Sequence, residues 1–282
     1  MALLHLSFTS KYLCGTTDVN VILPNPAYGQ EPAQMYTSGK KYKVLWLLHG
    51  TYGDYSDWLR KSNVELYACE KQIAVVMPSA MNSNYVDWKT FSMGYNVYSY
   101  FFEELMPMVH GWLPVSRRRE DNFIAGLSMG GRGTCVYALN HPECFAAAYS
   151  FSSAPNPLKE PDLSSPFAAR EVTLIDNFGG MDGYRKSPLN LWDRAKQCVQ
   201  DDIDLPKMYF ACGDRDPIAY ASFCNFRTYA EEIGFHAEFH ELPGYSHEWR
   251  FWDLCIQDAL DRFFPTEGKQ PVFDGKGTVC CI

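Results

Sequence analysis

The sequence predicts an α/β protein with a mostly parallel central sheet and helices on both faces. Short runs rich in β-branched and aromatic residues alternate with longer runs whose apolar residues recur at helical spacing. Two of the short runs, residues 43–48 and 73–77, are almost continuously apolar, as expected of strands buried on both faces of a parallel sheet. Glycine or proline stands near the ends of several helical runs. These three observations predict the fold class.

The other elements follow from the same patterns in chain order. Further strands are predicted where short β-rich runs recur, at residues 2–8, 17–23, 122–125, 146–151, 208–212 and 237–242. Helices are predicted where apolar residues have helical spacing, at residues 56–69, 98–113, 132–140, 221–233 and 248–264. The stretch 153–206 interrupts this alternation with several prolines and a Gly179-Gly180 pair, and it is interpreted as an irregular insertion over the sheet.

One domain is expected over residues 1–264, followed by a polar, glycine-rich tail over residues 265–282. The chain has 282 residues, a length that α/β folds form as one unit. With 46% hydrophobic and 21% charged residues, it is not a disordered, collagen-like or coiled-coil chain. A net charge of −8, with basic residues scattered apart from Arg117-Arg118-Arg119, argues against a nucleic-acid partner.

The sequence gives no sign of a membrane or a secreted location. No apolar run approaches the roughly 18 residues of a membrane-spanning helix, so no membrane partner is expected. The first ten residues lack the basic segment and the cleavage site of a secretion signal, so we expect a cytoplasmic location. In that reducing compartment the ten cysteines are expected to be core thiols. None has C-x-x-C spacing, so no metal is predicted, and Cys280 and Cys281 receive no function.

The segment Gly126-Leu127-Ser128-Met129-Gly130 matches the pattern G-x-S-x-G. It lies directly after a predicted strand and before a helical run. A nucleophilic serine needs this sharp turn so that its oxygen projects above the sheet, and glycine lets the turn close. The alternative is an ordinary glycine–serine loop before a helix, since the pentapeptide alone also occurs by chance. Its position between strand and helix favours Ser128 as a nucleophile.

A serine hydroxyl is a weak nucleophile near neutral pH, so Ser128 needs a base, and the base needs a carboxylate that orients it. Three histidines lie late enough in the chain to reach the same edge of the sheet. His236 and His240 lie in or beside a predicted strand. His247 lies instead in a loop between a strand and a helix, where open α/β sheets assemble their sites. His247 is therefore the expected base.

Two carboxylates follow the predicted strand 208–212, and either could orient His247. Asp216 is preferred because it lies further past the strand end, whereas Asp214 could pair with Arg215 or cap the turn. Asp176 and Asp182 lie in the proline-rich insertion and rank below both.

Acyl transfer also needs two backbone N–H donors for the developing oxyanion. Met129, directly after the nucleophile, supplies the first. The second is expected from the glycine-flanked loop at residues 49–53, with Thr51 as the preferred donor. His49 precedes the nucleophile in the chain, and it is expected to order this loop rather than to act in catalysis.

Three aromatic side chains are expected near the mouth of this site: Tyr52, Trp88 and Trp192. Flat rings at a site edge suit a planar acyl group or the face of a sugar. The alternative for Trp88 and Trp192 is that each ring packs its own segment.

These residues resemble the esterase D-like α/β-hydrolases, a family that includes tributyrin esterases, S-formylglutathione hydrolases, and acetylxylan and feruloyl esterases. The resemblance extends from Leu4 to Phe264. Beyond the G-x-S-x-G segment it rests on Leu47-Leu48-His49-Gly50 with Trp58, Met77-Pro78-Ser79-Ala80, Tyr85-Val86-Asp87-Trp88, Glu103-Glu104-Leu105, Gly213 to Asp216, and Gly244 to Trp249 with Trp252. It implies an α/β-hydrolase fold, no cofactor, a catalytic triad and an oxyanion hole at the positions derived above.

The expected function is therefore a serine carboxylesterase that acts on a small-molecule or saccharide ester. The expected acyl groups are acetyl, butyryl and hydroxycinnamoyl groups such as feruloyl. One alternative is a thioesterase of the S-formylglutathione type, although that branch usually has a cysteine where this chain has Thr51-Tyr52-Gly53-Asp54. A second alternative is a catalytically silent ligand-binding protein on the same fold. Homo-oligomerisation is left open.

Overall fold

The computed structural model describes residues 1–26, 29–164, 168–268 and 270–273. Its strands are β1 (Ala2–Ser10), β2 (Gly15–Leu23), β3 (Val44–Leu48), β4 (Ala74–Pro78), β5 (Asp87–Trp88), β6 (Tyr95–Asn96), β7 (Asn122–Leu127), β8 (Ala147–Phe151), β9 (Lys207–Gly213) and β10 (Ala237–Leu242). Eight of them form one sheet in the order β1-β2-β4-β3-β7-β8-β9-β10, and β5 pairs with β6. In this sheet β2 pairs antiparallel with both of its neighbours, β1 and β4. The remaining strands, β4, β3, β7, β8, β9 and β10, all pair parallel.

The helices are α1 (Pro32–Thr37), α2 (Asp57–Lys61), α3 (Val64–Lys71), α4 (Val97–Tyr100), α5 (Met106–Trp112), α6 (Met129–Asn140), α7 (Ala168–Asn177), α8 (Met181–Arg185), α9 (Leu191–Gln200), α10 (Tyr220–Ile233) and α11 (Trp249–Phe263). A π-helical turn, Phe101–Leu105, joins α4 to α5, and short 3₁₀ turns occupy Arg119–Asp121 and Pro142–Cys144.

The core consists of two apolar layers, one on each face of the sheet. Alternate residues of β3 divide between them, with Trp46 facing α5 and α6 and Leu47 facing α2 and α11. Both side chains are fully buried, as the continuous apolar run predicted. The mostly parallel sheet with helices on both faces confirms the predicted fold class.

Two segments differ from the sequence-based expectations. The helix predicted over 56–69 is broken into α2 and α3 because Ser62 is extended and its hydroxyl accepts a hydrogen bond from the N–H of Val64. The segment 153–206 is not irregular throughout, since α7, α8 and α9 lie within it and residues 154–164 have no helix or strand. Most of its prolines lie before α7, and Pro188 lies between α8 and α9, so none falls inside these three helices.

The described cysteines are free thiols, and Cys135, Cys198, Cys212 and Cys255 are buried in the core while Cys14 is exposed. Cys280 and Cys281 lie outside the described residues. Among the residues that the structure describes, no helix is both long enough and apolar enough to cross a membrane.

The first part of the tail packs against the core through a buried carboxylate on α11. Asp258 accepts hydrogen bonds from the hydroxyl of Tyr149 (2.9 Å), from Nε of Arg262 (2.7 Å) and from the N–H of Phe273 (2.8 Å). Burial raises the pKa of Asp258, and the charge and hydrogen bond of Arg262 oppose that rise. Phe273 is itself buried, so this part of the predicted appendage belongs to the packed structure.

We expect Asp258→Ala to lower the free energy of unfolding by about 3 kcal/mol or more, because it leaves three buried donors without their acceptor. Urea denaturation followed by circular dichroism measures this change. Asp182→Ala is the control, since its ion pair with Arg185 is exposed and worth little. A loss at Asp258 no larger than that of the control would contradict a structural role for this network.

Candidate active site

Four parallel strands bring their following loops to one edge of the sheet. β7 pairs with β3 and with β8, and β9 lies between β8 and β10. The loops after β3, β7, β9 and β10 therefore lie side by side at the carboxyl ends of the strands. Open α/β sheets bind ligands at this edge.

Ser128 occupies the tight turn between β7 and α6. Its backbone is strained, with φ 52° and ψ −115°, and its N–H donates to the carbonyl of Phe151 at 2.8 Å. The turn closes because glycines flank it. A Cβ on Gly126 would lie 2.5 Å from the carbonyl oxygen of Gly130, and a Cβ on Gly130 would lie 2.5 Å from that of Leu48. The local sequence therefore determines the tight turn between strand and helix in which Ser128 lies.

The structure brings Ser128, His247 and Asp216 into one chain of hydrogen bonds. Nε2 of His247 lies 3.0 Å from Oγ of Ser128, and Nδ1 of His247 lies 2.8 Å from Oδ2 of Asp216. The other carboxylate oxygen accepts N–H groups from Ile218 and Ala219, each at 2.9 Å. Burial alone would raise the pKa of the Asp216 carboxyl, but His247 and these N–H donors hold that pKa below its usual range. Asp216 is therefore an ionised acceptor for Nδ1–H.

The two candidate carboxylates have different partners. Asp214 accepts the N–H of Gly244 at 2.7 Å and so ties the loop after β9 to the loop that carries His247. Of the two, Asp216 is the one that contacts the imidazole. His240 lies within β10, and His236 lies just before that strand.

Trp252, to which the sequence analysis assigned no role, packs against His247. The ring of Trp252, in the first turn of α11, packs edge-on against the imidazole at 5.0 Å. Its indole N–H donates to Oγ of Ser152 at 3.0 Å. His247 precedes α11 and Trp252 lies in its first turn, so closeness in the sequence is the signal from which this contact could have been expected.

The loop after β3 lies against the nucleophile. A Cβ on Gly50 would lie 2.4 Å from Cδ1 of Leu127 and 3.5 Å from the Cβ of Ser128, so this part of the loop is in close contact with the turn at the nucleophile. His49 holds the loop from within: its Nδ1–H donates to the carbonyl of Gly50 at 2.7 Å, and its Nε2 accepts the N–H of Ala80 at 2.9 Å. Burial lowers the pKa of His49, which keeps the ring neutral in these two roles.

This buried neutral histidine predicts a pH dependence of stability. In the unfolded chain His49 takes up a proton near the ordinary histidine pKa of about 6.5, while the folded chain resists protonation to a lower pH. The unfolded state therefore binds more protons below that value, and stability falls as pH decreases, by at most about 1.4 kcal/mol per pH unit. We expect His49→Asn to weaken the fall between pH 7.5 and 5.5, measured by urea denaturation. Equal slopes in both proteins would contradict this account.

Arg170, on α7, also reaches the loop after β3. Its Nη1 donates to Oγ1 of Thr51 at 3.1 Å and its Nη2 donates to Oδ1 of Asn84 at 2.9 Å. The sequence analysis did not identify Arg170, because this residue lies in the segment 153–206, which was interpreted as an insertion. It is 119 positions from Thr51, and no motif surrounds it. Thr51 is thus held by a side chain from the segment that covers the sheet.

The three predicted aromatic residues are placed differently. Tyr52 is 92% exposed beside Thr51, and its N–H donates to Oδ1 of Asn82. Trp88 is half-buried in β5 and donates its indole N–H to the carbonyl of Ser83 at 2.8 Å. Trp192 stacks on Tyr229 of α10, with ring centroids 3.8 Å apart. The contact of Trp192 favours the alternative in which it packs its own segment.

Among the described residues, one group has potential metal-ligand atoms close together, outside the catalytic region. His141, Glu143 and Cys144 bring one such atom each within 4.8 Å of one another. Nδ1 of His141 already makes a hydrogen bond with Glu143. The group lies beyond the far end of α6 from Ser128.

Comparisons with known proteins agree with this fold. The model of the Esterase family matches residues 10–263. An acetyl esterase of Caldicellulosiruptor saccharolyticus is 27% identical over 274 residues, which cover 93% of this chain and 97% of that protein.

Two solved structures from Staphylococcus aureus are also similar. One is the S-formylglutathione hydrolase FrmB, with a TM-score of 0.76 and 28% identity over 93% of this chain and 98% of that chain. The other is the fluorophosphonate-binding serine hydrolase FphF, with a TM-score of 0.75 and 29% identity over 94% and 99% of the two chains.

The fold is that of an α/β-hydrolase. The chain belongs to the Esterase family, as a member of its esterase D-like group, and it is a carboxylic ester hydrolase.

Proposed function

We propose that this chain hydrolyses short-chain carboxylic esters through a covalent acyl-enzyme on Ser128. The observation that carries the proposal is the unbroken chain of hydrogen bonds from Ser128 through His247 to Asp216. A nucleophile in contact with a base, and a base oriented by a carboxylate, is the arrangement that activates a serine hydroxyl.

In the proposed reaction, Oγ of Ser128 attacks the ester carbonyl while Nε2 of His247 takes its proton. The N–H groups of Thr51 and Met129 donate to the oxyanion that forms. His247 then gives the proton to the leaving alcohol, and Asp216 stabilises the charged imidazole in between. A water molecule, deprotonated by His247, releases the acid from Ser128. The chemistry requires no cofactor.

Acetyl and butyryl esters are the proposed substrates, with feruloyl esters as a further class. Two rings support the feruloyl class. Tyr52 is exposed in the loop after β3, and the half-buried Trp88 donates to Ser83, next to the residues Ala80 and Asn82 that contact this loop. A flat acyl group gains roughly 0.5–1.5 kcal/mol from each good ring contact. We therefore expect acetyl and butyryl esters to be turned over readily, feruloyl esters measurably, and octanoyl esters poorly.

The test combines a substrate panel with covalent labelling. Acetyl, butyryl, octanoyl and feruloyl esters are assayed, and the protein is treated with a fluorophosphonate and digested for mass spectrometry. We expect the label on Ser128 and the loss of all ester hydrolysis with its attachment. Labelling at another residue, or hydrolysis that survives complete labelling, would overturn the proposal.

A thioesterase is the second candidate, favoured by the likeness to the Staphylococcus aureus protein named as an S-formylglutathione hydrolase. Comparing kcat/KM for S-formylglutathione with kcat/KM for oxygen esters decides between the two. A preference for the thioester of more than about tenfold would make it the better description.

A further inference from the structure

Among the residues that the structure describes, two arginine side chains near the proposed site have no carboxylate partner. One is Arg170 of α7, which is half-buried and donates to Thr51 and Asn84, two uncharged acceptors. A guanidinium group has five N–H donors, so these two bonds leave donors for a further acceptor.

Arg132 lies one helical turn after the nucleophile. Its backbone N–H donates to the carbonyl of Ser128 at 3.0 Å, and its side chain is half-buried. Arg132 therefore belongs to the first turn of α6, directly after the nucleophile.

The two arginines flank a single turn of the chain, at Asn84 and Tyr85. Asn84 is the acceptor for Arg170. Gly133 follows Arg132, and a Cβ on Gly133 would lie 2.5 Å from the ring of Tyr85. The start of α6 is therefore in direct contact with the chain at Asn84 and Tyr85. Burial lowers the pKa of Arg170, and the nearby positive charge of Arg132 lowers it further.

Two neighbouring, half-buried cations are unfavourable without an anion. Among the residues that the structure describes, no carboxylate forms an ion pair with either guanidinium, although Arg118, Arg119, Arg227 and Arg262 all have such partners. The chain as a whole has a net charge of −8, so carboxylates are plentiful elsewhere on it. The site itself thus retains an unpaired positive charge.

We propose that Arg132 and Arg170 form an anion-binding subsite for the substrate, which is an ester that carries a carboxylate or a similar anionic group. The inference rests on the proposed esterase activity and specifies its substrate class. A planar, forked guanidinium binds a carboxylate through two parallel hydrogen bonds, and such charge-assisted bonds are about twice as strong as neutral ones.

The experiment compares two pairs of esters that differ in charge. The first pair carries the charge on the acyl part: mono-4-nitrophenyl glutarate and 4-nitrophenyl pentanoate. The second pair carries it on the alcohol part: the acetyl esters of 4-hydroxybenzoate and 4-hydroxybenzamide. The measured quantity is the ratio of kcat/KM for the anionic ester to kcat/KM for its neutral partner.

We expect Arg132→Gln to lower this ratio at least tenfold in the pair whose charge occupies the subsite. Arg132→Lys and Arg170→Lys each keep the charge but lose the fork, so each is expected to lower the ratio only in part, and less than Arg132→Gln does. Arg117→Gln is the control, because Arg117 is exposed, donates to the carbonyl of His110 and lies near the amino end of β3. The two esters of a pair differ in their intrinsic reactivity. This difference is the same for every variant, so it cancels when the ratio of a variant is divided by the ratio of the unmodified chain.

A second measurement uses the unmodified chain. Glutarate or 4-hydroxybenzoate is expected to inhibit hydrolysis of 4-nitrophenyl pentanoate competitively, and at least tenfold more strongly than the corresponding amide.

Two results would overturn the subsite: unchanged ratios in Arg132→Gln for both ester pairs, or equal inhibition by each acid and its amide. If the unmodified chain hydrolyses none of the four esters, the proposed function fails rather than the subsite alone. The two failures are therefore distinguishable.

Discussion

Ser128→Ala is expected to lower kcat for an acetyl ester on the order of 10⁶-fold while the protein stays folded. The hydroxyl is the proposed attacking group, so its loss leaves binding and oxyanion donors to provide a residual rate on the order of 10³–10⁴ over water. Steady-state hydrolysis, corrected for the spontaneous reaction, measures the effect.

Ser38→Ala provides the matched control for this substitution, because Ser38 is exposed at the end of α1 and its hydroxyl donates to the carbonyl of Met35. The control is expected to hydrolyse the ester at the rate of the unmodified chain. Activity of Ser128→Ala within tenfold of the control would remove this serine from the mechanism.

Asp216→Asn is expected to lower kcat about 10⁴-fold. An asparagine accepts the N–H groups of Ile218 and Ala219 through its oxygen, so its NH₂ group faces Nδ1 of His247. That donor stabilises the tautomer in which Nε2 carries the hydrogen, and Nε2 can then no longer take the proton of Ser128. Steady-state kinetics on the same acetyl ester measures the loss.

Asp214→Asn is the matched comparison in the same loop. The amide oxygen of asparagine still accepts the N–H of Gly244, so the loop is retained and kcat is expected to stay within tenfold. If Asp214→Asn were the more damaging of the two substitutions, Asp214 rather than Asp216 would be the residue that orients the base.

Sequence predicts best what neighbouring residues determine. The turn at Ser128 follows from glycines and a strand and helix that lie within a few positions of it, so its conformation is readable locally. The parallel strands are recognisable because burial on both faces makes a strand such as β3 apolar throughout. The common direction of these parallel strands then places the loops that follow them at one edge of the sheet.

Contacts between distant segments are not readable in the same way. Both Asp214 and Asp216 follow β9, and only the packing of the β10 loop decides which of them meets His247. Arg170 contacts Thr51 from 119 positions away in the chain, from a segment whose prolines suggested irregular structure. Trp192 had two plausible environments, and its stack on Tyr229 depends on how two helices pack.

The glycines of α6 also bear on how this enzyme can diverge. A Cβ on Gly131 would lie 2.7 Å from Oγ of Ser150, and one on Gly133 would collide with Tyr85, so neither position tolerates replacement. Between them, Arg132 already carries a long side chain. Selection for new substrates can therefore act on residue 132 while its neighbours preserve the nucleophile, which makes this single codon an economical starting point for libraries that alter specificity.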